Sequence, residues 1–291
     1  MAASGSPTVR RRRLAAELRR LRGARKGTAV AAALGWSPAK ISRYELGRTS
    51  FPLDELAKLL EFYGVAEPRR AQLLALAEEA NLRGWWEDYA DVLNQEYMEF
   101  IGLEAEASSI GHLEGICVPG LLQTEEYARQ LNVGYQSAIP TPPRVLERLV
   151  RVRMRRQELL ARDQPPRLSA VIDESVLLRK IGDRDGMNAQ LKHLAEVAEL
   201  PHVELRVLPL DRDTPLVADS FVIFGFGDRT AGDVGELADV VCTESLKSEL
   251  YVEGEADTYM YRLVLQRMMD ASLSPVDSAR FILDTAQRRW A

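Results

Sequence analysis

The chain has 291 residues, 46% of them hydrophobic and 28% charged, which is typical of a soluble protein with room for two domains. No apolar stretch approaches the ~18 residues of a membrane span, and the basic N-terminus leads into a charged helix instead of a secretory signal. Cys117 and Cys242 are too few for a disulfide framework and are predicted to be buried thiols. A cytoplasmic location is expected.

Charge is distributed very unevenly along the chain. The first 50 residues contain twelve Lys and Arg against only Glu17 and Glu45, a net charge of +10, while the remaining residues carry −15. A basic head predicts a polyanionic partner, and the acidic body would repel that partner and keep the contact local. A solubilising basic tail explains the charge equally well, so charge alone does not decide between the two.

Helical spacing of leucine and alanine predicts five short helices in the first part of the chain, at residues 9–22, 28–34, 38–46, 53–63 and 68–80. Gly35 ends the second helix, and Ser37-Pro38 provides a cap and an N-terminal proline for the third. Residues 1–8 are predicted to be a disordered tail, and 81–97 a joint between domains.

The remaining residues, 98–291, are predicted to form a larger domain of mixed composition. Its helices are expected at residues 96–112, 124–133, 143–162, 187–199, 254–271 and 275–289. Its strands, rich in branched and aromatic residues, are expected at residues 168–172, 203–208, 221–226 and 240–243. The predicted fold class is α+β overall, an all-α N-terminal domain followed by a mixed α/β domain.

Residues 31–48 have the pattern of two crossed helices joined by a tight turn. Gly35 can adopt the left-handed conformation that such a turn needs, and Ile41 and Tyr44 are spaced to face inward. The outward positions of the third helix are small or cationic, as an element inserted into the major groove requires. The residues predicted to read base edges are Ser37, Ala39, Lys40 and Arg43.

A second set of residues is predicted to contact phosphates, which position a protein on DNA without specifying sequence. It includes the arginine run 10–13, because positive charge at a helix N-terminus opposes the macrodipole by ~0.3–1 kcal/mol per group unless an anion compensates. A frayed, solvated arm is an equally good interpretation of that run. The predicted backbone contacts are Arg10, Arg11, Arg12, Arg13, Lys26, Thr28, Ser42, Arg48 and Thr49.

The turn glycine, the serine cap, the inward isoleucine and the terminal Glu45-Leu46-Gly47 occur in the order found in a known motif. Residues 10–64 resemble the helix-turn-helix of the xenobiotic-response-element family, which includes phage repressor and Cro-like domains. The resemblance implies that residues 9–80 form a helix-turn-helix domain that binds double-stranded DNA. Many members have a phosphate-contacting Gln at the start of the second helix, where this chain has Lys26-Gly27-Thr28, so no base-reading role is assigned there.

The second domain resembles the C-terminal domain of actinomycete regulators described as antitoxin-like. The matching stretches are residues 118–124 with Tyr127, 153–160, 173–174, 190–194 and 207–209. The resemblance implies a regulatory domain that binds a small partner protein encoded nearby. Because one helix-turn-helix buries little surface and such domains bind two half-sites about 34 Å apart, a homodimer built by the second domain is predicted.

Two other functions are compatible with the sequence. The first alternative is a ligand-responsive regulator with a small-molecule pocket in the second domain. The second, which its motifs favour less, is an enzyme with a DNA-targeting head. His112, His193 and His202 lack metal-type spacing, and Asp173-Glu174 is either acid–base machinery or a helix start. No catalytic residue, metal ligand or cofactor is predicted.

Overall fold

The structure, a computed structural model, describes residues 7–47, 49–135, 140–212, 218–227, 238–244 and 249–291. These residues divide into two compact units. The first comprises residues 7–87 and 99–106 together with residue 227, and the second comprises the others. In this described part of the chain, no helix is both long enough and apolar enough to cross a membrane.

The first unit is helical and confirms the five predicted helices to within two residues at each end. They are α1 (Pro7–Arg22), α2 (Gly27–Leu34), α3 (Pro38–Glu45), α4 (Leu53–Phe62) and α5 (Arg69–Ala80). Their apolar faces meet in one core, in which Leu18, Leu56, Leu60 and Leu73 are fully buried. The predicted tail overlaps the start of α1 at residues 7–8, and its first six residues lie outside the described part.

The second unit is built on a mixed sheet, so the predicted α+β class is confirmed. Its helices, with α6 shared between the units, are α6 (Gln95–Glu106), α7 (Glu125–Tyr135), α8 (Pro143–Gln157), α9 (Glu174–Leu178), α10 (Arg184–Val197), α11 (Glu255–Ala271) and α12 (Pro275–Thr285). The strands found among the described residues are β1 (Ser109–Glu114), β2 (Arg167–Asp173), β3 (Val203–Leu208), β4 (Phe221–Gly225), β5 (Val240–Glu244) and β6 (Glu249–Glu253).

Strand order in this sheet is β3-β2-β1-β4-β5-β6. The first three strands are parallel to one another, and β4, β5 and β6 pair antiparallel. Parallel neighbours need long crossovers, which α7 and α8 provide between β1 and β2 and which α9 and α10 provide between β2 and β3. The carboxyl ends of β1, β2, β3 and β5 therefore lie at one edge of the sheet.

Two strands, β1 and β6, were not predicted, and two predicted helices are too long. The helix expected at 96–112 ends at Glu106, and residues 109–114 form β1, which pairs with both β2 and β4. Gly111, His112 and Glu114 hide this strand, because they break the run of branched residues that usually marks one. The helix expected at 143–162 is also shorter than predicted. Helix α8 ends at Gln157, and a 3-10 turn follows it from Glu158 to Ala161.

The sheet is covered on the face that carries Leu113, Val171 and Ile223. Helix α11 buries Leu265 and Met268 against these residues. At the outer edge of β3, Val207 N–H donates to the Ser278 hydroxyl of α12 at 2.9 Å, so this helix satisfies part of the exposed strand.

The segment 118–124 is fixed by buried polar side chains. Gln190 of α10 is fully buried; its Oε1 accepts from the Thr124 N–H (2.7 Å) and its Nε2 donates to the Leu122 carbonyl (2.8 Å). The Tyr127 hydroxyl accepts from the Val118 N–H at 3.1 Å. Thr124 caps α7 by accepting from the Tyr127 N–H at 3.2 Å.

Replacing Gln190 by Leu should lower the free energy of unfolding by about 3 kcal/mol, because it leaves a buried N–H and a buried carbonyl without partners. Denaturant unfolding of the full chain measures this loss. Lys192→Ala, at an exposed position of the same helix, is the control and should change stability by less than ~0.5 kcal/mol. Equal stability of Gln190→Leu and the wild type would contradict the role assigned to Gln190.

Candidate nucleic-acid interface

The turn between α2 and α3 has the geometry that the glycine and serine predict. Gly35 is left-handed with φ 68°, and the Trp36 N–H donates to the Ala31 carbonyl at 2.8 Å, which closes the end of α2. Ser37 caps α3 by accepting from the Lys40 N–H at 3.3 Å, and Pro38 is the first helical residue. The start and the direction of α3 are thus fixed by local interactions.

Helix α3 is anchored by two inward side chains, as predicted. Ile41 is 2% exposed and Tyr44 is 9% exposed, both within the helical core. The Tyr44 ring stacks on Phe51 with 3.7 Å between ring centroids. The opposite face of α3 is left to the solvent.

The residues predicted to read bases lie on that outward face. Ser37, Ala39 and Arg43 are exposed, and Ala39 and Arg43 are one helical turn apart. Lys40 differs from them because it is half-buried. Base reading by these four residues stays a prediction.

Lys40 is held within its own domain by a residue that the sequence did not single out. Its Nζ lies 2.7 Å from Oε1 of Glu55, in the first turn of α4, and 4.7 Å from the centre of the Trp36 ring. The Tyr44 hydroxyl donates to the other oxygen of Glu55 at 2.6 Å. Glu55 had an ordinary explanation as an acidic residue at a helix N-terminus, so nothing in the sequence pointed to its contact with α3.

The electrostatics of this group follow from the same contacts. Hydrogen bonds from Lys40 and then from Tyr44 hold the pKa of Glu55 below its ordinary value. Burial, together with the bond to Glu55, raises the pKa of Tyr44. Glu55 is therefore a carboxylate, and it offsets part of the positive charge of Lys40.

Two of the predicted phosphate contacts, Thr28 and Ser42, line one shallow depression. Lys26, Thr28, Ser42 and Thr49 are exposed, and Arg48 lies outside the described residues. The depression has a volume of about 320 Å³ and brings Thr28 and Ser42 together. It is lined by Arg19, Arg22, Gly27, Thr28, Pro38, Ile41, Ser42, Glu45 and Leu46.

The arginine run 10–13 lies inside α1, so it is helical and not an extended arm. Arg10 is buried, lies 3.1 Å from the Glu79 carboxylate, and donates to the Glu79 carbonyl at 3.5 Å. Arg11 donates to the Ala80 carbonyl at 3.1 Å, and Arg12 pairs with Glu99. The C-terminal carbonyls of α5 thus supply the negative charge that we expected from phosphate. Contact of this run with DNA stays a prediction.

In the second unit, Asp173 and Glu174 form the start of a helix, which is one of the two interpretations that the sequence left open. Asp173 caps α9 by accepting from the Ser175 N–H at 2.9 Å. Both cysteines are free thiols. Cys242 is 1% exposed, as predicted for a buried thiol. Cys117 is only partly buried, and burial raises the pKa of Cys117 to about 12, which holds it in its unreactive form.

Polar side chains that the sequence did not single out lie where β1, β5 and β6 meet the carboxyl edge of the sheet. Ser220 donates to buried Glu114 at 2.7 Å, and Glu244 is the register partner of Glu249. The Tyr251 hydroxyl donates to Glu249 at 2.6 Å. Burial raises the pKa of Glu249 to about 7, against the opposing effect of the Tyr251 hydrogen bond.

Two sequence families match the chain. The family described as a helix-turn-helix domain matches residues 13–73, which confirms the motif assigned to α2 and α3. The family described as a domain of unknown function, DUF5753, matches residues 97–284, almost two thirds of the chain. Searches of curated proteins and of solved structures found no match. The N-terminal unit is therefore a DNA-binding helix-turn-helix domain.

Replacing Glu55 by Gln should release Lys40 and strengthen DNA binding several-fold, with a log K against log salt slope steeper by up to about one. Titration of labelled DNA across a salt series measures both quantities. Asp54→Asn is the matched control, because it removes the same charge from the same turn without a hydrogen bond to Lys40. Equal effects of the two variants would show that only net charge matters.

The raised pKa of Glu249 predicts a pH-dependent stability. The folded state binds the Glu249 proton more tightly than the unfolded state does. Protonated Glu249 therefore contributes its full stabilisation below about pH 4.5, and this stabilisation is lost as the pH rises through about 7. Glu249→Gln should flatten the dependence of melting temperature on pH within that window. Glu199→Gln, at an exposed position, should leave it unchanged, and an unchanged slope in Glu249→Gln would contradict the prediction.

Proposed function

The chain belongs to the family of the domain of unknown function DUF5753, and on that premise we propose that it is a sequence-specific DNA-binding transcription regulator. The observation that carries the proposal is the outward face of α3, where Ser37, Ala39 and Arg43 are exposed beside a glycine turn. A helix presented in this way fits the major groove, where small and cationic side chains reach base edges.

We assign the side chains of this face different roles. Arg43 makes no hydrogen bond or ion pair with any described residue, so its guanidinium is available to guanine O6 and N7. Ala39, one turn before it, is suited to contact a thymine methyl. When DNA binds, Lys40 gives up its ion pair with Glu55, and the loss of that pair offsets part of the energy of its contact with DNA. Thr28 and Ser42 are placed to bind a phosphate together.

Our proposal extends to the finer features that the resemblance implied. The protein acts as an antitoxin-like regulator of the xenobiotic-response-element type in the cytoplasm, associated with the nucleoid when bound to DNA. Its second unit forms a homodimer and binds a small partner protein encoded nearby. A helix-turn-helix domain favours a regulator over an enzyme.

A ligand-responsive regulator is the second candidate, and the polar edge of the sheet favours it. Ligands of mixed sheets bind outside the carboxyl ends of their strands, where Glu114, Glu244 and Glu249 lie. In this case a small molecule, and not a protein, would alter DNA affinity. The Glu114→Gln variant would then lose the response while keeping its DNA binding.

The deciding experiment compares binding of the full chain to its own upstream DNA and to scrambled DNA of equal length, across a salt series. Arg43→Ala should lose about 1–3 kcal/mol of discrimination between the two DNAs, because each good base contact contributes that much. Lys40→Ala should lose less, since Glu55 already holds the ammonium group. Lys192→Ala in the second unit is the control for lost positive charge. Equal, steeply salt-dependent binding to both DNAs by the wild type would overturn the proposal.

A further inference from the structure

Helix α11 has an apolar face that stays exposed in the described part of the chain. Its inner side chains Leu265 and Met268 are buried against the sheet. On the opposite side, Tyr259, Met260 and Leu263 are 58%, 59% and 37% exposed. Exposed apolar residues are common singly, but three within two helical turns make a contiguous patch.

The edge strand β6, which packs beside α11, carries a further exposed apolar side chain. Leu250 is 62% exposed, and it points to the same side of the sheet as Val252, two residues along the strand. Val252 packs against the cluster that contains Leu265 and Met268, so Leu250 lies on the face that α11 covers. Unlike the edge at β3, where Val207 bonds to α12, this edge exposes a large apolar side chain.

Charges along α11 make the face complementary to itself. Glu255 and Asp257 lie in its first turn, and Arg267 lies on the exposed stripe three turns later. None of these three side chains has a hydrogen bond or ion pair with another described residue. Two copies of α11 packed antiparallel about an axis between Met260 and Leu263 bring Arg267 opposite Ala256, between Glu255 and Asp257 of the second copy.

We propose that this face, defined by Leu250, Tyr259, Met260, Leu263 and Arg267, binds a second copy of the same chain in an isologous, two-fold dimer. Each copy contributes the same apolar stripe, and Arg267 of each copy faces Glu255 and Asp257 of the other, as two-fold symmetry requires. The antiparallel arrangement also sets each helix N-terminus beside a C-terminal half, which suits the two macrodipoles. The inference rests on the proposed function, because two half-sites on DNA require two helix-turn-helix domains.

The test measures the dimer dissociation constant of the full chain without DNA, by sedimentation over a concentration series. Met260→Glu with Leu263→Glu should raise this constant about 100-fold, since it buries repelling carboxylates at the two-fold axis. Val276→Glu is the matched control, because Val276 is 70% exposed on α12 of the same unit and should leave the constant unchanged. Circular dichroism confirms that each variant is folded.

A charge exchange separates specific pairing from general repulsion. Arg267→Glu alone, and Glu255→Arg with Asp257→Arg, should each raise the dissociation constant about tenfold, because each sets like charges opposite one another. The triple variant restores opposite charges and should return to within about threefold of the wild type. Failure of the triple variant to recover overturns the antiparallel pairing.

Two further outcomes overturn the proposal. A wild-type chain that is monomeric at micromolar concentration has no such dimer, and this face would then be open to the small partner protein instead. A chain in which every variant stays dimeric associates through another surface. Binding of each variant to DNA with a single half-site is measured in parallel. A monomeric variant that keeps its sequence preference supports the regulator function. A wild-type chain without sequence preference rejects that function but leaves the dimer proposal unaffected.

Discussion

The position of α3 depends on the placement of Tyr44. Its ring is stacked on Phe51 inside the helical core, and its hydroxyl reaches Glu55 at the start of α4. A side chain held at both ends in this way fixes the rotation of α3 about its axis. That rotation decides which residues face outward, so the face that we propose reads DNA is a consequence of how this one aromatic residue is buried.

The same anchor explains why recognition residues cannot be judged from exposed positions alone. Glu55 satisfies Tyr44 and also holds Lys40, one of the two cations predicted to read bases. The carboxylate that stabilises the helix therefore reduces the charge that the helix offers to DNA. Glu55 therefore links the anchoring of α3 to the charge on its outward face.

Local signals in the sequence were sufficient for the first unit and only partly sufficient for the second. A cap, a turn glycine and helical spacing act over a few residues, which is why Gly35, Ser37 and Ile41 led to the correct turn. Strand β1 was missed because Gly111, His112 and Glu114 have weak strand preference, and its conformation comes from β2 and β4 on either side. The contacts of Glu55 and Gln190 were missed for a related reason: their partners are distant in sequence, and no pattern within the chain reveals such a pair.

The contacts of the basic segment have a consequence for how charge is read from a sequence. Arg10 and Arg12 are matched by Glu79 and Glu99, and Lys40 by Glu55, all of them carboxylates that lie outside the first 50 residues. The fold thus places carboxylates from later in the chain beside a segment whose own sequence is strongly basic. An electrostatic potential calculated for the segment in isolation would overstate the attraction that DNA experiences at a distance, and the long-range approach to DNA is governed by the few cations that the fold leaves unneutralised.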